Sequence, residues 1–186
     1  NLYKGLINFY KLNIGEAIFQ IENSIVQYQS AQKPGPAFNC YLILCQIYIF
    51  KNQFNKTEKI LEKIDILAKQ IKDNEVMCRY AALKYLIDIL NNNGDENRLK
   101  GIAGQLSAKE NNFEQCISFW YIALAFSLHG NNENAEKYLL QSQKLLIEKS
   151  KQDADKTLWD AILHTNPINN QIITQKVGSL KVFTDS

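Results

Sequence analysis

This chain of 186 residues is short of helix breakers and of reactive side chains: three prolines, eight glycines, two histidines and one methionine. So little Pro and Gly excludes collagen-like and low-complexity classes and suits a helix-rich protein. Charge of one sign is missing too. The 21 Lys and Arg against 19 Asp and Glu leave a net charge of +2, and the two signs are interspersed. No long-range field steers the chain towards nucleic acid or a membrane surface. The longest apolar run, Cys40 to Phe50, is too short to span a bilayer. No segment before Val177 alternates with strand periodicity. The opening Asn1-Leu2-Tyr3-Lys4 has no basic-then-apolar export signal, and without an initiating Met the chain reads as a piece of something longer.

The residues that carry chemistry are few and scattered. Cys40, Cys45, Cys78 and Cys116 form no Cys-x-x-Cys pair, and each sits in an apolar helical stretch. They are expected to be reduced, buried small hydrophobes, which suits a cytoplasmic protein. His129 and His164 fall at helix ends, where a histidine caps orphan carbonyls. They have no Cys or carboxylate pair at metal spacing beside them, so no metal site is expected. Gly101 and Gly104 lie inside an amphipathic helix rather than in a phosphate loop, and close helix packing is their expected role. No Ser stands in a nucleophile turn. Glu22, Glu58, Glu62, Asp65, Asp88 and Glu114 are spread over helix surfaces. The sequence therefore predicts no enzyme, no catalytic residues and no cofactor. Lysines and arginines with acidic neighbours predict no nucleic-acid stripe.

What the chain does have is helical periodicity. Helices are expected over 2–12, 15–29, 37–51, 54–72, 74–91, 96–110, 113–128 and 132–150, with a shorter ninth over 154–163. Lys33-Pro34-Gly35-Pro36 is expected to be a hard break, and Asn92-Asn93-Gly94-Asp95 a stop and turn. Pro167 could begin a last short helix. Helices one to eight fall into four pairs. The first members are apolar nearly all round: residues 37–51 carry only Lys51 as a charge, and 113–128 only Glu114. The second members are amphipathic; 54–72 carries Lys56, Glu58, Lys59, Glu62, Lys63, Asp65, Lys69 and Lys72 around an apolar stripe. An all-apolar helix must be buried on both sides or present part of itself to a ligand. The alternation predicts an inner layer and a charged outer layer.

The pairs also repeat about every 40 residues. Unit one carries Gly5, Ile14, Ala17, Ile21 and Ser24. Unit two carries Leu44, Cys45, Tyr48, Phe54, Thr57, Leu61 and Ile64. Unit four carries Ile122, Ala123, Phe126, Asn132, Ala135, Leu139 and Ser142. Unit three fits poorly: Ala81, Ala82 and Tyr85 match, but Arg98 stands where a small residue belongs. The alternative register, Gly104, Phe113, Cys116, Trp120 and Ala123, overlaps unit four. This pattern resembles the tetratricopeptide repeat, in the long-period form found in bacterial signalling and regulatory proteins. The segment from Trp159 to Asn170 is similar to the one that closes such arrays.

The resemblance implies an all-α fold, a right-handed superhelical array of antiparallel helix pairs with about four units and a capping helix. It places the repeat domain at residues 1–165 and a cap or linker at 166–186, leading to a possible downstream domain. It implies a non-enzymatic module that binds a protein or peptide in its concave groove, with no nucleic acid and no membrane as partner. The alternative is a ligand- or peptide-sensing regulatory domain of a larger signalling protein or transcription regulator. By family register the groove residues are Asn39, Gln46, Phe50, Arg79, Leu83, Trp120, Tyr121 and Leu124.

Overall fold

The computed structural model describes residues 1–108, 115–152 and 163–176. Among them the regular elements are α-helices: α1 (Leu2–Tyr10), α2 (Ile14–Ser30), α3 (Pro34–Phe50), α4 (Phe54–Ala68), α5 (Asn74–Leu90), α6 (Glu96–Ser107), α7 (Cys116–Leu128), α8 (Asn132–Gln152) and α9 (Pro167–Thr174). The described residues contain no strand, and no helix among them is long and apolar enough to cross a membrane. The chain divides into two compact units, Asn1–Met77 and Cys78–Ser186. The start of the seventh helix at Phe113, most of the ninth over 154–163, and Val177 to Ser186 lie outside the described residues.

Five helices stop in the same way. Leu12, Gln32, Asn52, Asn92 and Gly130 have left-handed φ values of 60°, 53°, 56°, 60° and 74°. Each stands two residues past its helix, and the next N–H reaches back five residues. Asn13 N–H donates to Asn8 O, Lys33 to Tyr28 O, Gln53 to Tyr48 O, Asn93 to Asp88 O and Asn131 to Phe126 O, all at 2.8–2.9 Å. This closure satisfies carbonyls that the helix end would leave orphaned. Gly130 takes the left-handed conformation without strain and Asn52 and Asn92 tolerate it, whereas Leu12 and Gln32 hold it with side chains that disfavour it.

The first three left-handed residues are 20 positions apart, so α2, α3 and α4 begin at Ile14, Pro34 and Phe54 with that spacing. The expected break at Lys33 to Pro36 is therefore a correction. Pro34 and Pro36 form the first turn of α3. Nothing in a helix needs their missing N–H groups there, and the fixed φ of proline suits the start. A second correction concerns α4, which stops at Ala68 rather than Lys72. Leu67 and Ile71 are consequently half-buried, not on the inward face.

In α2, α4, α6 and α8 the fourth, eighth and eleventh residues are buried. They are Ala17, Ile21 and Ser24; Thr57, Leu61 and Ile64; Leu99, Ala103 and Leu106; Ala135, Leu139 and Ser142. The spacing puts each trio on one stripe of its helix. It also explains the poor fit of unit three. The connection before α6 is two residues longer than the others, so Leu99, not Arg98, takes the first buried place, and small and large residues exchange order. Arg98 faces out, 3.0 Å from Asp88.

In the first unit α1 packs on α2, α2 on α3 and α3 on α4. Gly5 lets α1 approach α2 closely: a Cβ there would meet Ile21 Cγ1 at 2.7 Å and Ala17 O at 3.2 Å. Phe9 and Phe50 meet edge to face, with centroids 5.8 Å apart. In the second unit α6 packs on α7, α7 on α8 and α9 on α8. Tyr138 of α8 stacks on Phe119 and Phe126 of α7, and Ser142 Oγ donates to Cys116 O at 2.6 Å. Each such fully buried large side chain contributes about 1.5–3 kcal/mol of transfer free energy.

Candidate interaction surfaces

The apolar helices α3 and α7 are apolar because they are covered. Eleven residues of α3, between Ala37 and Ile49, are buried, and ten of the thirteen in α7. This decides where the eight groove residues stand. Leu83, Trp120, Tyr121 and Leu124 are at most 3% exposed and belong to the core. Gln46 is 8% exposed, so it is a poor surface position. Asn39, Phe50 and Arg79 are half-buried. Asn39 and Phe50 lie three turns apart on α3, about 16 Å at the helical rise, and the Phe50 ring rests against Phe9. The structure thus leaves three of the eight partly accessible.

The apolar surface that is open lies largely elsewhere in the first unit. On α1, Tyr3, Ile7 and Tyr10 point away from the Gly5–Phe9 side that packs on α2, and Leu12 follows them in the connection. On α2, Phe19 and Val26 are exposed two turns apart, and on α4 Ile66 is 71% exposed. A sequence signal for α1 existed: only Lys4 and Asn8 make a polar face, so its apolar arc is wider than Gly5 and Phe9 need for the packed side. A cleft of about 340 Å³ in the same unit lies at the end of α2, the start of α3 and the end of α4. Gln29, Gln32, Lys33 and Gln70 ring it, over Pro34, Ala37 and Leu67.

The second unit holds a polar cluster instead. His129 does end α7 as its cap residue, but its ring partner is a side chain: Tyr85 Oη lies 2.9 Å from His129 Nε2. The Arg98 guanidinium stands over the Tyr85 ring, 5.7 Å from its centroid. Burial, and then the nearby Asp95, push the Tyr85 phenol up to about 12. A side-chain hydrogen bond from Asn131, then one from Lys100, hold the Glu96 carboxyl below the usual range. These groups join the ends of α5 and α7 to the starts of α6 and α8.

Cys40, Cys45 and Cys116 are buried and none of the four cysteines is in a disulfide, while Cys78 is half-buried, a correction to the expectation for it. Burial pushes the Cys40 thiol up to about 11 and the Cys45 thiol higher still, so neither is a nucleophile at neutral pH. Among the described residues no three His, Cys, Asp or Glu side chains come together as a metal site. Gly101 and Gly104 also depart from expectation. Both are exposed, and a Cβ at either would touch nothing within 4 Å, so close packing does not account for them.

At the other end of the second unit, α9 lies on α8. Asn166 Oδ1 accepts from Ile168 N and Asn169 N at its start. Ile168, Asn169 and Ile172 are buried. Gln143 Nε2 donates to Ile172 O and Gln175 O at 2.9 and 3.1 Å. Trp120 Nε1 donates to Gln175 Oε1 at 2.7 Å.

Compared with models of known protein families, with curated proteins and with solved structures, the chain matches none of them. The likeness to tetratricopeptide repeats rests on the positions quoted above.

Proposed function

We propose that this is a non-enzymatic helical-repeat module that binds a protein or peptide, its helix pairs stacking antiparallel as a right-handed solenoid. The observation that carries this is the recurring buried trio in α2, α4, α6 and α8, together with apolar helices α3 and α7 between them. A unit of that kind cannot bury its own faces alone, and stacks of such units serve mainly to bind other molecules. Buried thiols outside any disulfide suit the cytosol. Of the expected groove residues, Asn39, Phe50 and Arg79 remain for contact.

Affinity capture from the source cells, followed by cross-linking, tests the reading. Asn39→Glu and Phe50→Glu are expected to weaken capture at unchanged helicity, and Lys59→Glu with Lys63→Glu on the charged face to leave it intact. Loss with the lysine pair alone would move the site to the outer helices. Loss with Ile7→Asp alone would move it to α1. A second reading, a ligand-sensing regulatory domain, draws on the cleft at Lys33. Its size lies near the lower end of small-molecule sites, and its amides and one ammonium surround an apolar floor. Native mass spectrometry of the purified chain would show a retained ligand if that reading holds.

A further inference from the structure

The contacts of α9 are those of a bound helix rather than of a continued fold. Ile168 and Ile172 are buried one turn apart, and Gln175, the extended residue that ends the helix, adds a contact three positions further on. The helix has eight residues, well below the roughly 12–15 needed for an isolated helix to persist in water. Its order comes from the seat. Two features of that seat would serve any helix of this pattern. Gln143 donates its amide to two main-chain carbonyls, Ile172 O in the last turn of the helix and Gln175 O just past it, and every helix leaves carbonyls of its last turn open. Trp120, 1% exposed, gives its indole N–H to the Gln175 amide oxygen.

We infer that the face of α7 and α8 bearing Trp120 and Gln143 is a helix-docking site whose resident occupant is α9. A partner helix with aliphatic residues at i and i+4 and an amide at i+7 competes for it. Because α9 belongs to the same chain, an outside helix competes with an intramolecular one, and the site is closed until such a partner displaces α9. This goes beyond the proposed function and stands whether or not the helix pairs form a solenoid.

Hydrogen exchange on the unmodified full chain comes first. Amides of residues 168–174 are expected to exchange at least about tenfold faster than those of 119–126, because α9 opens as a unit. Equal protection would overturn the proposal. Gln143→Ala should speed α9 exchange by about tenfold more, the effect of one or two lost hydrogen bonds, and leave α7 unchanged. No change at α9 would also overturn it. The third arm uses the full chain with Ile168→Asp and Ile172→Asp, in a Trp159→Phe background. A synthetic peptide of residues 166–176 should bind this variant and shift Trp120 emission back to the blue. The same peptide with both aspartates should not bind. Failure of the unmodified peptide to bind a variant of native helicity would sink the idea; if the variant loses its helicity, the two exchange measurements decide.

Discussion

The two units begin their helices differently. In the first, α2, α3 and α4 follow Asn13, Lys33 and Gln53, none of which makes a side-chain capping bond. In the second, Asp95, Asn131 and Asn166 each accept from backbone N–H groups at the start of α6, α8 and α9, whereas α7 starts at Gln115 without such a bond; at the end of the first unit Asp73 caps the start of α5. The turns of the first unit close on the preceding helix through Leu12, Gln32 and Asn52 in the left-handed region, a closure that Asn92 and Gly130 also make in the second. Connection length does not decide this, because α8 also follows three residues of connection and is capped by Asn131; packing of each helix on the next holds the turns of the first unit. Local side-chain signals mark the starts of α5, α6, α8 and α9, and α2, α3 and α4 start without them.

The largest expected effect tests that dependence on packing. Leu61, 4% exposed on α4, should cost about 2–5 kcal/mol as Leu61→Ala in denaturant unfolding. A loss below about 0.5 kcal/mol would mean that the first unit does not rest on this stripe. Next is Gly5→Ala, expected to destabilise by about 1–3 kcal/mol, because Ile21 must leave its place or α1 must lift. An unchanged melting temperature would show that α1 is loosely seated.

Caps come third. Asp95→Ala should cost about 1 kcal/mol, and Gln53→Ala, at an uncapped start, should be near neutral by the same reasoning. Equal losses at the two sites would erase the contrast between the units. Smaller changes should raise stability. Leu12→Gly relieves a side chain held at φ 60° and should gain about 0.5–1 kcal/mol after the extra chain entropy of glycine is subtracted. Gly101→Ala, on an exposed helix face with open space around it, should gain a similar amount. A loss at Gly101 would mean that a partner or another part of the chain lies against that face.

Much of this was legible from residue order. Apolar residues at i, i+4 and i+7 marked α2, α4 and α8 because a half-buried helix has to separate its faces. Asn166 and Pro167 marked the start of α9, since both favour that position for local reasons. The charge balance likewise follows from composition, which folding does not alter.

What surrounds a uniformly apolar helix is another matter. The residues of α3 and α7 carry no periodic sign of which side faces a neighbour, so the sequence allowed either a covered helix or an open groove. The structure covers Leu83, Trp120, Tyr121 and Leu124. Nor did spacing show that two extra residues before α6 move Leu99 into the place expected for Arg98. The same holds for Trp120 and Gln175, 55 positions apart and 2.7 Å from hydrogen-bond donor to acceptor. Helix formation is local, so the order of residues determines it. Which apolar face is covered, and by what, depends on contacts between residues far apart in the chain, and only the tertiary structure decides those.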